Sequence, residues 1–306
     1  MKKILITGAN GLLGQRLVYN LLQRKDVELI ATEKGENRLN EKIGYTFISL
    51  DITDEKKIQD VFREHKPDVV INAAAMTNVD GCETQRDECW AQNVTALKFI
   101  CDAIKDPSNG IQGCHLIHVS TDFIFDGKKG GEYTEEDEPN PQSYYAKSKW
   151  EGEKIVIHSG IKWSIARTII VYGVTDGQTR SNLVLWVKNS LSKGQRINVI
   201  TDQYRSPTLS EDLANGCIAI ADKKAEGIFN LSGPQTFSIW QLAEMIADFW
   251  KLDKTLMDPV TTAQLKQPAQ RPLRTGFVLE KAKKILGYHP HSFMEGLKII
   301  DEQLKS

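Results

Sequence analysis

The first two dozen residues limit what this chain can fold into more than any other stretch. Lys3-Ile4-Leu5-Ile6-Thr7 is a short apolar run that reads as a buried strand. Gly8-Ala9-Asn10-Gly11-Leu12-Leu13-Gly14 follows, and residues 15–24 continue the helical spacing of Leu13, Leu17 and Leu21. Strand, glycine turn and helix, in that order, open a dinucleotide-binding unit. Its glycines permit a tight turn, close approach of the backbone to a pyrophosphate, and close packing of helix on strand. The helix N-terminus then offers N–H groups and partial positive charge to the phosphates. The spacing is G-x-x-G-x-x-G and not the commoner G-x-G-x-x-G, so a glycine-rich turn of another α/β protein is the competing reading. The position directly after the first strand favours the cofactor turn.

Further strands are expected at residues 27–32 (ending in Glu33), 45–50, 68–72, 116–120 and 163–167, with helices at 54–65, 89–104 and 143–158. Strands alternating with helices imply an α/β fold with a doubly wound parallel sheet, of Rossmann type. Glu33 stands 25 residues after Gly8, where the acid that holds a cofactor ribose hydroxyl is expected.

Beyond residue 170 the pattern changes. A polar loop (174–180), a helix (182–191), a short strand (196–200) and a loop (202–208) lead to a helix at 210–221. A strand at 228–231, a helix at 239–250, a Gln/Pro/Arg-rich loop at 264–274 and helices at 280–286 and 293–305 complete the chain. The expected division is a dinucleotide-binding domain of residues 1–170 plus about 207–224. Residues 171–206 and 225–306 would form a smaller α/β substrate lobe over the C-terminal edge of the sheet.

At 306 residues the chain can support two lobes, and its net charge of −1 shows no basic patch suited to nucleic acid. The sequence holds no apolar run of membrane-spanning length, and Gly8 and Asn10 interrupt the apolar N-terminus, which reads as a strand and not a signal peptide. Five cysteines at irregular spacing, with no C-x-x-C, point to reduced thiols in a cytoplasmic protein. Ordinary packing is the reading for Cys82 and Cys89. His115 and His118 alternate along a strand and His289 and His291 flank a proline, so both pairs read as structural and no metal site is assigned.

Tyr145 and Lys149 stand four apart on an expected helix and so face the same way. A lysine ammonium beside a phenol stabilises the phenolate and lowers the tyrosine pKa from about 10, which would make Tyr145 a proton donor and acceptor near neutrality, although the pair taken alone reads more readily as a solvated helix face. Ser120-Thr121-Asp122 ends the fifth strand, where active-site groups of such sheets sit. There the Thr121 hydroxyl is placed to hydrogen-bond a substrate carbonyl, although these residues also suit a plain turn cap.

The glycine turn, Asn72-Ala73-Ala74-Ala75 after the fourth strand, Ser120-Thr121 after the fifth and Tyr145-x-x-x-Lys149 on the following helix together resemble the extended short-chain dehydrogenase/reductase family. Five segments narrow the resemblance to its reductases of nucleotide-linked 4-keto sugars: the run from Asn72 through Thr77 and Val79 to Asp80, the run from Ser120 to Gly127, Tyr145-Ala146-Lys147-Ser148-Lys149, Asp202-Gln203-Tyr204-Arg205-Ser206-Pro207-Thr208, and Arg271-Pro272. The resemblance implies NAD(P)H-dependent reduction of the 4-keto group of a nucleotide-linked 6-deoxy sugar, with dTDP-4-dehydrorhamnose going to dTDP-L-rhamnose.

By the same resemblance, Thr121, Tyr145 and Lys149 are catalytic. Thr121 holds the keto oxygen, Tyr145 gives it a proton, and Lys149 holds the nicotinamide ribose. Gly8, Asn10, Gly11, Leu12 and Gly14 form the pyrophosphate turn, Glu33 meets the ribose, and Asp51 and Ile52 lie by the adenine. Ala73, Ala74 and Ala75 pass close to the cofactor, and Asn93 supports the active-site helix. Thr77, Val79, Asp80, Thr121, Asp122, Phe123, Asn182, Arg205, Ser206 and Arg271 are the substrate-side candidates, with an arginine expected to grip diphosphate bidentately.

Glu33 favours NADH, whereas Lys34 and Arg38 are placed to take a 2′-phosphate, so the lean to NADH is slight. Tyr204 and Arg205 stand where the family more often has smaller residues, which leaves the sugar open. A 4,6-dehydratase needs an acid after Asp122, where this chain has Phe123. A nucleotide-sugar 4-epimerase and a non-catalytic nucleotide-binding regulatory subunit stay open as alternatives, as does a homodimer.

Overall fold

The computed structural model describes residues 1–178 and 182–305. Of the loop expected at 174–180, residues 179 and 180 lie outside the described residues.

Six strands, with helices between all but β2 and β3, fill the first half: β1 (Lys2–Thr7), β2 (Val27–Glu33), β3 (Thr46–Ser49), β4 (Val69–Asn72), β5 (His115–Thr121) and β6 (Lys162–Thr168). Short strands β7 (Val171–Tyr172), β8 (Ile197–Ile200), β9 (Tyr204–Arg205) and β10 (Thr208–Leu209) come before β11 (Gly227–Asn230), and β12 (Phe237–Ser238) and β13 (Met257–Val260) follow it. The main sheet has seven strands in the order β3-β2-β1-β4-β5-β6-β11, every neighbouring pair parallel. Strand order reverses between β1 and β4, and ligands bind doubly wound sheets at the carboxyl ends of the strands beside that reversal.

The helices are α1 (Leu12–Leu22), α2 (Glu55–His65), α3 (Gly81–Thr84), α4 (Arg86–Trp90), α5 (Ala96–Lys105), α6 (Tyr144–Ile157), α7 (Leu183–Ser192), α8 (Ser210–Lys223), α9 (Ile239–Phe249), α10 (Thr262–Leu265), α11 (Glu280–Leu286) and α12 (Phe293–Lys305). Alternate strand residues feed opposite faces of the sheet. Ile4, Ile6, Ile71 and Ile117 pack with Leu17 of α1, Leu213 of α8 and Leu286 of α11. Leu5, Val70, Leu116 and Ile165 pack with Ile58 of α2, Leu97 of α5 and Val156 of α6. A separate core joins α7, α9 and α12 through Leu185, Leu242, Ile246 and Leu297, with β8 and β13 paired beside it.

Three expectations are corrected here. Residues 227–230, assigned to the smaller lobe, form β11 and pair with β6 from Ser164 to Arg167, while Ala282 and Leu286 of α11 join the core of the large sheet. A lone apolar strand finds its hydrogen bonds on an open sheet edge, and β6 supplied one. The helix expected at 89–104 starts at Arg86 and passes through a π-helical stretch, Ala91–Thr95, before α5. π-Bulges of this kind concentrate at functional sites, and Asn93 lies within this one. The loop expected at 264–274 overlaps the short α10.

Candidate active site

Gly8 follows β1 with φ +74°, and a Cβ on it would stand 2.8 Å from the Ala74 backbone nitrogen. Only glycine suits that turn, because both the backbone angle and the Ala73-Ala74 segment exclude a side chain. Gly14 is equally constrained, since a Cβ there would run into the Gly8 carbonyl. The N-cap of α1 is Gly11, which brings no capping side chain, so the first N–H groups of the helix stay available to an anion. Gly8, Gly11, Glu33, Asp51, Ile52 and Ala73 to Ala75 line a cavity of about 140 Å³ together with Gln92. This backbone cradle, open at a helix N-terminus and walled by an acid, fits a dinucleotide.

Glu33 faces that cavity, and its carboxylate accepts from the Asn10 and Lys34 backbone N–H groups at 3.2 and 3.0 Å. Asn10 is not part of the lining: its amide spans from the Glu36 carbonyl to the Arg38 N–H and pins the turn to the segment after β2. Lys34 Nζ lies 2.9 Å from Asp51, so one of the two cations nominated for a 2′-phosphate is already paired.

A second cavity, about 460 Å³, continues from Gly8 across the ends of β4 and β5 towards the smaller lobe. The structure brings Leu12, Thr77, Val79, Thr121, Asp122, Phe123, Tyr145, Lys149, Asn182, Arg205 and Arg271 to its walls. Ser143 caps α6 by accepting from the Ala146 N–H, which fixes the start of the helix one residue before Tyr145. Tyr145 is buried, edge-on to Phe123 with ring centroids 5.9 Å apart. Burial pushes its phenol up from the ordinary value, and a hydrogen bond with Thr121 pulls the other way.

Lys149 Nζ is buried and donates to the Val119 carbonyl at 2.8 Å, with His118 Nε2 3.3 Å away. Burial lowers its pKa to about 8. The expectation that Lys149 pulls the Tyr145 pKa down is therefore not met here: the lysine is turned to β5, and desolvation of the phenol dominates. Asn93 stays out of the cavity lining. Its amide joins both backbone groups of Met76 to the Ser148 hydroxyl on α6 (2.9 Å), a direct support of the active-site helix.

Several substrate candidates are committed elsewhere. The Arg205 guanidinium donates to the carbonyls of Tyr204 (2.7 Å), Pro272 (2.6 Å) and Leu273 (3.4 Å), and Nε lies 3.7 Å from Asp122. It is 3 % exposed, so it buttresses the 272–275 segment where a diphosphate clamp was expected. Asp122 also accepts from Thr275, and burial raises its pKa. Arg271 does make a bidentate grip, but on Asp80 at 3.0 and 2.8 Å, which holds the Asp80 carboxyl below its usual range. Ser206 is outside the lining and bonds Thr236 at 2.8 Å. Asn182 lines the cavity while its amide caps α7 and bonds the Gly173 carbonyl. Thr175 was missed by the sequence reading. Its hydroxyl and that of Ser120 are buried, line the cavity and have no hydrogen-bond partner among the described residues. Such orphaned hydroxyls suit a bound polar ligand.

The sequence matches the RmlD substrate binding domain family over residues 1–305. It is 31 % identical to a dTDP-4-dehydrorhamnose reductase of Aggregatibacter actinomycetemcomitans, covering 98 % of each chain. A solved dTDP-4-dehydrorhamnose reductase of Bacillus anthracis, in complex with NADP, superposes with a TM-score of 0.83 at 27 % identity, covering 99 % of this chain and 100 % of that one. The methionine adenosyltransferase 2 subunit beta of Rattus norvegicus is 29 % identical over 89 % of this chain and 78 % of its own length.

Proposed function

Because the chain belongs to the RmlD substrate binding domain family, we propose that it is an NAD(P)H-dependent oxidoreductase that reduces dTDP-4-dehydrorhamnose at its 4-keto group to dTDP-L-rhamnose. The observation that carries this reading is one continuous cavity system. It runs from the Gly8 cradle to a buried Tyr145–Thr121 pair with Lys149 on the same helix.

When bound along the Gly8–Gly14 turn, NAD(P)H supplies the hydride for the keto carbon. The protein's own part is orientation and a proton. Thr121 Oγ1 already accepts from the Phe123 N–H at 3.2 Å, which fixes the hydroxyl oxygen at the end of β5. From there it positions a keto oxygen against the phenol of Tyr145. Burial keeps that phenol protonated at neutral pH, so Tyr145 enters the reaction as a loaded acid. Once the proton is given, the buried phenolate requires a cation, and Lys149, one turn along α6, would meet that need by swinging its ammonium from the Val119 carbonyl towards the phenol. Phe123 and Leu12 narrow the cavity around the pair and limit water.

The lean to NADH is retained, supported by the Glu33 carboxylate in the lining and by the pairing of Lys34 with Asp51. A cytoplasmic location is supported by five free, buried cysteines. The regulatory-subunit alternative gains from the relative named above, but an assembled Thr121–Tyr145–Lys149 set favours turnover. The test is loss of reduced-nicotinamide absorbance with dTDP-4-dehydrorhamnose generated in situ. Oxidation that depends on the sugar nucleotide is the expected result. Cofactor binding without oxidation overturns the reductase in favour of the regulatory subunit or the epimerase.

A further inference from the structure

Thr7, Asn72 and His118 are register partners across three strands: Thr7 stands opposite Asn72 on β4, and Asn72 opposite His118 on β5. They lie on the sheet face that Leu5, Val70 and Leu116 line two residues earlier, beneath α2, α5 and α6. Thr7 Oγ1 bonds Asn72 Oδ1, Asn72 Nδ2 lies 3.1 Å from His118 Nδ1, and His118 Nε2 lies 3.3 Å from Lys149 Nζ. Each of the four side chains is 2 % exposed or less. Gly152, near Lys149 on α6, permits the close approach: a Cβ there would stand 2.7 Å from the Asn93 carbonyl and 3.8 Å from His118 Nε2.

A neutral imidazole has one N–H, and an ammonium has no lone pair to accept it, so the charge on Nζ selects between two arrangements of this row. Where the Asn72 N–H faces Nδ1, as in the structure, the ring proton sits on Nε2 and donates to Nζ, which is then an uncharged amine. Where the Asn72 amide is turned over, its oxygen accepts a hydrogen bond from Nδ1–H, Nε2 becomes an acceptor, and Nζ is an ammonium donating to it. We propose that His118 is a positioning residue for Lys149 whose tautomer follows the charge on Nζ, through a reversal of the Asn72–His118 hydrogen bond. The proton balance is simple. Nζ gains or loses one proton, and the imidazole keeps its single proton and only relocates it between nitrogens.

The surroundings leave this task to His118. Of the other groups facing Nζ, Glu153 is held by Arg167 at 2.7 Å, Cys89 lies against Ser148 at 3.3 Å, and Tyr145 is turned to Thr121. Burial depresses the His118 pKa well below its usual value, so the ring stays neutral and responds by tautomer and not by charge. The Lys149 value of about 8 puts the reversal within reach of a titration.

The first readout needs no substrate, so it is independent of the reductase reading. Full-length protein with ¹⁵N-labelled histidine is followed by two-bond ¹H–¹⁵N correlation from pH 6 to 10. Among the six histidines, the His118 signals are those that vanish in His118→Gln. The expected result is conversion from the Nδ1–H to the Nε2–H tautomer with a midpoint near 8. The second readout is the pH profile of turnover. In His118→Phe the buried ammonium loses a charged hydrogen bond, and the basic limb moves down by about one to two pH units. His118→Gln restores an amide oxygen near the Nε2 position and recovers much of that displacement. A single tautomer throughout the titration overturns the proposal, as does a basic limb that stays in place in His118→Phe. If His118→Phe fails to fold, the tautomer titration of the unaltered protein decides. A titrating tautomer in a protein that never oxidises the cofactor would sink the reductase and leave this proposal standing.

Discussion

Replacing Arg205 with Met separates a buttress from a diphosphate clamp. The guanidinium makes hydrogen bonds of 2.6 and 2.7 Å to the Pro272 and Tyr204 carbonyls, and its Nε stands 3.7 Å from the buried Asp122. Hydrogen bonds to charged groups contribute about 1.5–3 kcal/mol each, and they do not add. Removing one partner of a buried ion pair costs about 3–5 kcal/mol, because the other charge is stranded. Thr275 still donates to Asp122 and the Met side chain keeps some of the apolar contact with Phe123, so about 4 kcal/mol is the expected loss. At about 2 °C per kcal/mol for a chain of this size, the thermal midpoint falls by roughly 8 °C.

The pH dependence supplies a second check. Burial raises the folded-state pKa of Asp122 above its unfolded value. Between the two values the folded chain binds more protons than the unfolded one, so stability falls as pH rises through that window. Loss of the guanidinium raises the folded pKa further and widens the window. The variant should therefore regain part of its deficit as the buffer is lowered from neutrality towards pH 5. Thermal melts across pH and steady-state kinetics at a permissive temperature are the assays. A melt within about 1 °C of the parent, with KM for the sugar nucleotide raised about tenfold or more, would refute the buttress and restore the clamp.

Tyr145→Phe keeps the buried ring and removes the proton, so turnover should fall by about 10²–10⁴-fold while cofactor affinity, read by nicotinamide fluorescence, hardly changes. Near-normal turnover would exclude Tyr145 as the acid. Glu33→Ser removes the carboxylate from the cofactor cavity and should raise the kcat/KM ratio of NADPH to NADH by about tenfold, or about 1.4 kcal/mol; an unchanged ratio would mean that the carboxylate serves only the Asn10 and Lys34 N–H groups. Asn93→Ala cuts the ties between Met76 and Ser148 and should cost about 1–3 kcal/mol in urea denaturation, with a fall in kcat larger than any change in cofactor KM. Unaltered kinetics in a destabilised variant would reduce Asn93 to a purely structural role.

How legible the site was depended on the kind of signal each residue carries. Gly8 and Gly14 were readable because backbone angle and close approach leave no other residue acceptable there. The placing of Thr121 at a strand end and of Tyr145 and Lys149 one helical turn apart was readable from spacing, because both are local geometry, while the roles proposed for them came from the family resemblance. That Arg205, Ser206, Asp80 and Arg271 already hold partners within the chain was not readable, since charge and chain position do not reveal whether a side chain is occupied. Arg271 and Asp80 satisfy each other across 191 positions, and Arg205 takes carbonyls 67 and 68 residues away. Thr175 carried no signal in its neighbours; only the cavity shows its hydroxyl without a partner.

The sequence by itself determined most of the alternation of strands and helices, the glycine turn and the placing of Tyr145 and Lys149 one helical turn apart. Each of these follows from residue spacing within a strand or a turn of helix, and such periodicities are properties of the local backbone. Tertiary structure alone decided that residues 227–230 would complete the large sheet on β6, that Lys149 would turn to Val119 and His118, and that burial would raise the Tyr145 pKa and lower that of Lys149. Edge pairing, desolvation and long-range hydrogen bonds depend on which surfaces meet. That is fixed only when distant segments of the chain compete for the same partners.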